Sequence, residues 1–190
     1  MTNTIYRNRT DMASLRHLLV TAFILFLSLS AHAASSTELN ATVHEALKNL
    51  YAQSSAAKSL GSRAKGILVF PKVLKGGLVV GGEYGEGALL KNGAIQDYYN
   101  TVSASIGFQL GAQARSQIVM FMTSEALNNF VNSEGWEAGI DGSIAIAEFG
   151  AGEGIDTKTA RAPIIGFISN NKGLMYNLTL EGSKITKIEK

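Results

Sequence analysis

Apolar residues recur at helical spacing near the start of the chain and at strand spacing after it. Leu39 and Val43 begin the apolar face of a predicted amphipathic helix, residues 36–51, for which Thr37 is the expected N-cap. Two serines then break the pattern, and a second short helix is predicted over residues 56–64. The segment before residue 65 is therefore predicted to contain two helices.

A glycine-rich stretch, residues 66–90, follows these helices. It contains seven glycines between short apolar runs of high β-propensity. The run at 67–70 predicts a strand buried on both faces, which ends at the following proline. Further along, strands at 78–80 and 88–90 are predicted to form a hairpin around the sequence GGEYGEG. In this interpretation the glycines form the tight turn, and Tyr84 lies at that turn.

Strand signals continue after the glycine-rich stretch. Asn92-Gly93 is the strongest short hairpin signal, and a strand is predicted after it at residues 94–99. Twelve residues within 101–114 then alternate strictly between apolar and polar or small side chains. Such a strand would be roughly 40 Å long, which is typical of a strongly curved sheet or a barrel wall.

The C-terminal part of the chain predicts one more helix and several strands. Thr123 is the expected N-cap of the helix, and Leu127, Phe130 and Val131 form its apolar face. The predicted strands are 117–122, 143–149, 162–169 and 174–180, with a hairpin turn at 170–173 and a short final strand at Ile185 and Ile188. The predicted fold class is α+β: a curved, mainly antiparallel sheet that approaches a barrel, with N-terminal helices and one inserted helix.

Residues 1–33 have the pattern of a cleaved signal peptide. Three arginines precede an apolar run at 18–28, and Ala31-His32-Ala33 places small residues at the cleavage positions. The alternative is a retained anchor helix, which the short run disfavours because a membrane span needs roughly 20 apolar residues. We therefore predict an exported protein, periplasmic or secreted and able to lie at a membrane, with a single domain at residues 34–190.

Charge and composition exclude several classes of function. Without residues 1–33 the chain has 14 basic and 14 acidic residues, so a globally basic nucleic-acid-binding protein is not expected. The absence of cysteine excludes disulfides and cysteine nucleophiles. His44 is the one histidine after residue 33, which excludes most zinc sites. The GxSxG and P-loop motifs are absent, and no cofactor is expected.

Acidic residues supply two further candidates for chemistry. Glu83 and Glu86 flank Tyr84 and are a possible pair for acid–base catalysis, but nothing nearby supplies a nucleophile or a metal. Four acids in the C-terminal part match no calcium loop, and solvated turns explain them better. These four are Asp141, Glu148, Glu153 and Asp156.

A group of basic residues is the remaining candidate site. Within an 18-residue segment that contains no acid lie Lys58, Arg63, Lys65, Lys72 and Lys75. Apolar residues separate these cations, a combination that suits a surface facing anionic lipid headgroups. Each cation near such a surface contributes on the order of 1 kcal/mol. The alternative is an ordinary solvated helix end and loop.

Several ordered blocks of the sequence resemble the SYLF domain family. They include AKGILVFPKVLKGGLVVGGEYGEGALL at 64–90, SIGFQLGAQARSQIVMFMTSEALNNF at 105–130, GWEAGIDGS at 135–143 and NKGLMYNLTLEGSKI at 171–185. In eukaryotes this domain accompanies membrane-trafficking and actin-linked modules and binds phosphoinositides and actin, and exported bacterial relatives are regarded as lipid-binding proteins. The resemblance therefore implies lipid association and no catalysis.

By position, the resemblance points to the N-terminal helix and to the basic residues as the membrane contact. We predict an exported, non-enzymatic protein that associates with anionic phospholipid through a basic, glycine-rich surface. The predicted lipid-binding residues are Arg63, Lys65, Lys72, Lys75 and Tyr84. The alternative is a cell-envelope interaction or scaffold module, in which the sheet edge or the region of Trp136 recognises a protein partner.

Overall fold

A long-stranded sheet dominates the fold in a computed structural model, which describes residues 35–77, 80–106, 113–147, 155–170, 173–174 and 180–190. The helices are α1 (Ser36–Gln53), α2 (Ser55–Gly61), α3 (Ser124–Val131) and α4 (Thr157–Ala160). The strands are β1 (Gly66–Gly77), β2 (Val80–Lys91), β3 (Ala94–Ile106), β4 (Gln113–Phe121), β5 (Trp136–Glu137), β6 (Ala145–Ile146), β7 (Ile164–Asn170), β8 (Gly173–Leu174) and β9 (Lys184–Ile188).

The strands form one sheet in the order β5-β9-β3-β2-β1-β4-β7-β6, and β8 pairs with β7. Among the described residues, β6 and β7 pair in parallel, and the other strand pairs are antiparallel. The sheet curls into a half-barrel. This arrangement confirms the predicted α+β class and its curved, mainly antiparallel sheet.

Serine side chains start the two N-terminal helices. The Ser35 hydroxyl accepts a hydrogen bond from the Glu38 N–H at 3.2 Å, which satisfies one of the free donors at the start of α1. The predicted cap position, Thr37, is therefore wrong by two residues, because Thr37 lies inside the helix. The Ser54 hydroxyl caps α2 in the same way, by accepting from the Ala57 N–H at 3.0 Å.

The first helix lies against the sheet as its apolar spacing predicts. Leu39, Val43 and Leu50 are buried, and α1 packs against β1 and β2. Its first turns also reach β3, where the Tyr98 hydroxyl donates a hydrogen bond to Oδ1 of Asn40 at 3.0 Å. The helix therefore covers one face of the sheet at the end where β1 begins.

The first strand continues through Pro71, where the sequence predicts its end. A proline in a central strand lacks the N–H that the ladder needs, and a bulge tolerates that loss. The pairing of β1 shifts register here on both sides: between Val69 and Lys72 against β2, and between Phe70 and Val73 against β4. The predicted end of the strand is therefore wrong because Pro71 lies in a bulge.

The GGEYGEG segment is part of a strand, and the predicted turn there is wrong. All seven residues lie within β2, which pairs with β1 on one side and β3 on the other. Tyr84 is therefore in the middle of a strand, opposite Leu74 of β1 and Val102 of β3. Of the predicted strand at 78–80, residues 78–79 lie outside the described part of the chain.

The turn between β2 and β3 is the one that the sequence predicts. Asn92 has φ 54° and Gly93 has φ 79°, the left-handed values that a two-residue type I′ turn requires. Lys91 and Ala94 face each other as the last pair of the ladder. The local dipeptide alone was enough to locate this turn.

The predicted strand at 101–114 is wrong as a single element. Residues up to Ile106 belong to β3, residues from Gln113 belong to β4, and 107–112 lie outside the described residues. The pairings make β3 and β4 run in opposite directions on either side of the β1–β2 pair. Alternation has the same period in both strands, so it does not record where the chain reverses.

The C-terminal elements follow the prediction with local differences. The Thr123 hydroxyl caps α3 by accepting from the Ala126 N–H at 3.2 Å, as predicted. Leu127 and Phe130 are buried in the core, but Val131 is 41% exposed and does not belong to the apolar face. The final strand is confirmed as β9.

The remaining predicted strands are confirmed in part. β7 matches the predicted strand at 162–169, and the pairs Ser169–Leu174 and Asn170–Gly173 confirm the hairpin. Of the strand predicted at 143–149, Ala145–Ile146 is a strand, and residues 148–149 lie outside the described part. Residues 175–179 of the strand predicted at 174–180 lie outside it as well.

Aromatic rings form the core under α3. Phe130 stacks at a tilt on Tyr99 and Phe121, with ring centroids 4.9 and 4.8 Å apart, and meets Trp136 edge to face at 5.8 Å. Such pairs add about 0.5–1.5 kcal/mol each to the burial of their area. This cluster joins β3, β4 and β5 to the inserted helix.

The Tyr99 hydroxyl destabilises this core. It is buried, and it has no hydrogen-bond partner among the described residues. An unsatisfied buried polar group costs about 1–3 kcal/mol. We therefore expect Tyr99→Phe to raise the free energy of unfolding by about 1 kcal/mol, measured by urea denaturation at neutral pH. Tyr98→Phe is the matched control and should lower it, because the Tyr98 hydroxyl donates to Asn40.

The Tyr99 hydroxyl also makes the free energy of unfolding depend on pH. Burial, with a smaller effect of Asp97, raises the pKa of Tyr99 from 10.0 to about 12. Between these values the unfolded chain releases this proton and the folded chain keeps it, so stability falls as pH rises through this window. Tyr99→Phe should reduce that fall. A less stable Tyr99→Phe protein would contradict the unsatisfied hydroxyl.

Candidate functional site

The predicted basic residues do not form one patch. Arg63 and Lys65 are exposed between α2 and β1, where the Lys65 N–H donates to the Phe121 carbonyl at 2.7 Å. Lys72 and Lys75 lie in the second half of β1. Ten residues separate Lys65 from Lys75, and at strand rise they span about 30 Å. The structure therefore divides the four cations into two pairs at opposite ends of β1.

Lys72 and Lys75 lie on opposite faces of the sheet. They are three residues apart, and side chains alternate along a strand. Lys75 lies opposite Glu83, and its Nζ is 3.5 Å from Glu83 Oε1. Lys72 lies opposite Glu86, is exposed, and has no ion-pair partner in the part of the chain that the structure describes. Of these two lysines, Lys72 is the one whose charge faces solvent without an ion pair.

A buried ion-pair cluster surrounds Glu83. This carboxylate is 7% exposed and accepts a hydrogen bond from Arg115 of β4 as well as pairing with Lys75. With its amide oriented for hydrogen bonding, Gln117 accepts from Nε and Nη2 of Arg115 at 3.2 Å. A buried charge needs such partners. The sequence interpretation missed Arg115, because its role depends on the pairing of β4 with β1.

An exposed apolar row crosses the other face of these strands. Leu74, Tyr84 and Val102 are neighbours on β1, β2 and β3, and they are 46%, 47% and 47% exposed. Lys72 lies two residues from Leu74 along β1, and exposed Ala104 lies two residues from Val102 along β3. We call this surface the hairpin face; it consists of Lys72, Leu74, Tyr84, Val102 and Ala104.

Hydrogen bonds hold Tyr84 in place on the hairpin face. Its hydroxyl donates to Glu86 Oε1 at 2.8 Å, and Glu86 Oε2 accepts from Lys190 Nζ at 2.6 Å. Burial of part of the ring, followed by the bond to Glu86, raises the pKa of Tyr84. The hydrogen bond to Glu86 therefore holds the exposed part of the ring above the sheet.

Each acidic candidate that the structure describes already has a hydrogen-bond partner within the protein. Glu83 and Glu86 lie on opposite faces of β2 because they are three residues apart, so they cannot act as a pair on one substrate. Asp141 accepts a hydrogen bond from the Glu137 N–H at 2.7 Å, and Asp156 caps α4. Two other candidates, Glu148 and Glu153, lie outside the described residues.

Two further findings concern metals and membranes. Within the described ranges, His, Cys, Asp and Glu side chains form no group of three or more that could hold a metal ion. No helix in those ranges is long and apolar enough to cross a membrane.

Comparison with known protein families matches the C-terminal part of the chain. The family model described as "Ysc84: Las17-binding protein actin regulator" matches residues 102–190, which run from the middle of β3 through β9. A search of curated proteins finds no match. The matched segment includes Val102 of the hairpin face and Arg115 of the buried cluster. Residues 102–190 therefore match the SYLF domain family, which agrees with the resemblance that the sequence shows.

Proposed function

We propose that the protein binds anionic phospholipid at a membrane surface through the hairpin face, and that it acts by binding without catalysis. The observation that carries this proposal is the row Leu74, Tyr84 and Val102, half exposed on three adjacent strands. Neighbouring strands lie about 4.8 Å apart, so the row is an apolar strip about 10 Å long. Contiguous apolar surface of this kind marks interaction sites.

Charge around the strip favours an anionic surface. Lys72 is exposed beside the row, and Lys184 of β9 lies opposite Val102 at its other end. The nearby acid Glu86 already accepts from Tyr84 and Lys190, so its charge is partly neutralised. Each lysine near an anionic membrane contributes on the order of 1 kcal/mol. Apolar contact and cations together therefore suit a lipid headgroup layer.

The proposal uses two of the five residues that the sequence predicts. Lys72 and Tyr84 belong to the hairpin face, whereas Lys75 pairs with Glu83 on the other face of the sheet. Arg63 and Lys65 lie at the opposite end of β1 and serve as comparison sites. We further propose that residues 1–33 are a signal peptide, which would bring the domain to the cell envelope and its phospholipid.

Charge reversal at the two ends of β1 tests the proposal. The assay is co-sedimentation of the full chain with phosphatidylcholine vesicles, with and without phosphatidylglycerol. Binding should require phosphatidylglycerol and fall with salt, because salt screens exposed charges. Lys72→Glu should weaken binding roughly tenfold or more, since it removes one cation and adds an anion. Lys65→Glu makes the same charge change elsewhere and should bind like the wild type. Equal losses in both variants would contradict a localised site.

A protein partner is the second candidate function. The printed description of the matching family concerns binding of Las17 and regulation of actin. The observation that favours a protein partner here is Ile140, which is 76% exposed beside the edge strand β5. Trp136 itself is 1% exposed and packs on Phe130, so its ring is not available for contact. A pull-down that Ile140→Ser abolishes, with vesicle binding unchanged, would support this candidate.

A further inference from the structure

A hydrogen-bonded loop at the edge of the sheet carries Ile140, the most exposed large apolar side chain among the described residues at 76%. The loop consists of residues 137–142, and we call it the edge loop. The Asp141 carboxylate accepts from the Glu137 N–H at 2.7 Å. The Glu137 carbonyl accepts in turn from the N–H groups of Ile140 at 3.2 Å and Asp141 at 2.9 Å. A loop with a fixed backbone loses little conformational freedom on contact, so the edge loop is preorganised to bind through Ile140.

The edge loop lies in an acidic part of the chain. Residues 116–157 include seven acids and no lysine, arginine or histidine. Two of these acids, Glu137 and Asp141, belong to the edge loop itself, and neither has an ion-pair partner within the described ranges. A surface that covers Ile140 should therefore be apolar and should carry cations beside its apolar part.

The hairpin face has that complementary composition. Its row of Leu74, Tyr84 and Val102 is nearly half exposed, and Lys72 lies beside it with no ion-pair partner in the described part of the chain. Residues 46–82, which contribute Lys72 and Leu74, include six lysines and arginines and no acid. One chain therefore carries an acidic loop with an apolar tip and a basic surface with an apolar strip.

The pairing of β9 places these two surfaces side by side. Lys184 lies opposite Val102 of β3 and opposite Glu137 of β5. The edge loop therefore begins two strand spacings, about 10 Å, from the end of the apolar row. Because the surfaces adjoin, a two-fold axis can bring the edge loop of each molecule against the hairpin face of the other. Such a pair makes the same contact twice and closes at two copies.

We propose that a second copy of this chain covers the hairpin face in solution, in a two-fold dimer that each edge loop helps to hold. In each half of the contact, Ile140 meets the apolar row, and the acids of the edge loop meet the cations of the hairpin face. The dimer goes beyond the proposed membrane contact because it forms without lipid. It also removes the apolar strip from water, so dimer formation and vesicle contact exclude each other.

Sedimentation velocity of the full chain without lipid tests the dimer. The contact is small, so the measurement covers protein concentrations from about 10 μM to 1 mM. The average mass of the wild type should rise toward that of two chains, and added salt should reverse the rise. Ile140→Ser should weaken dimerisation about fiftyfold or more, because each dimer loses two apolar contacts. Val131→Ser, on α3 and outside both surfaces, should dimerise like the wild type.

A charge exchange tests which surfaces meet. Lys72→Glu and Glu137→Lys each place like charges in the contact, so each variant alone should dimerise about tenfold or more weakly than the wild type. A mixture of the two should form dimers again, because the reversed face of one variant meets the reversed loop of the other. Lys65→Glu reverses a charge outside both surfaces and should dimerise like the wild type.

The mixture also shows that both variants are folded, since an unfolded chain would not restore the dimer. A wild type that stays monomeric over the whole concentration range overturns the proposal. So does undiminished dimerisation of Ile140→Ser, or a mixture of the charge variants that dimerises no better than either alone. These samples contain no lipid, so a failure of the dimer is distinguishable from a failure of vesicle binding.

Discussion

The double variant Leu74→Ser/Val102→Ser should bind phosphatidylglycerol vesicles about thirtyfold more weakly than the wild type. Both side chains are nearly half exposed in the folded protein, so a membrane that covers them buries about half of each. Full burial of a Leu or Val side chain contributes about 1.5–3 kcal/mol. Burial in the membrane of the half that is exposed in the folded protein therefore contributes about 1 kcal/mol of binding free energy for each residue. The measurement is the vesicle concentration at which half of the protein sediments.

Val131→Ser is the matched control for this loss. Val131 is 41% exposed on α3, close to the exposure of Val102, and it is not part of the hairpin face. Val131→Ser is the same substitution as Val102→Ser, so it measures any non-specific effect of a more polar surface on vesicle binding. Vesicle binding should be unchanged in Val131→Ser. If both variants lost binding equally, the contact would not be at the hairpin face.

Gly87→Ala should lower the free energy of unfolding by about 3 kcal/mol or more, the upper end of the cost of overpacking. Gly87 lies in β2 beside the Pro71 bulge, which brings neighbouring atoms of β1 unusually close. An added Cβ would be 2.2 Å from the Val69 carbonyl oxygen and 2.5 Å from Cδ1 of Phe70. The first contact is with backbone, which cannot turn away as a side chain does. Urea denaturation of the full chain measures the effect.

Gly76→Ala provides the comparison within the same strand pair. Gly76 is exposed in β1, and a Cβ there would have no atom within 4 Å among the described residues other than its chain neighbours. Removing a glycine from an unstrained position stabilises a protein by about 0.4–1 kcal/mol, because it restricts the unfolded chain. We therefore expect opposite signs at the two positions. Similar destabilisation by both substitutions would mean that close packing at the bulge is not what requires Gly87.

Local signals in the sequence predicted most of the elements but not how the long strands continue. The Asn92-Gly93 turn and the Thr123 cap depend on a few adjacent residues, and both were predicted correctly. Pro71 and the glycines of β2 were misinterpreted as ends and turns. A proline inside a central strand is tolerated only because both partner strands shift register around it. That information belongs to residues distant in sequence.

Less of the candidate site than of the fold could be predicted, because the site also depends on contacts between residues distant in sequence. A strand that ends at Phe70 places Lys72 and Lys75 together in a loop, whereas a strand that continues to Gly77 places them on opposite faces. The apolar row could not be recognised, because Leu74, Tyr84 and Val102 become neighbours only through pairing of three strands. Tyr84, a predicted lipid-binding residue, is 47% exposed, but its predicted place in a turn was wrong.

Site-specific fluorescence tests membrane contact at the hairpin face most directly. The chain has no cysteine, so Val102→Cys and Val131→Cys can each carry one environment-sensitive fluorophore. With phosphatidylglycerol vesicles, the emission of the label at position 102 should shift to shorter wavelength, and that of the label at 131 should not. A shift at 131 without one at 102, or no shift at 102 under conditions where the protein sediments with vesicles, would contradict binding through the hairpin face.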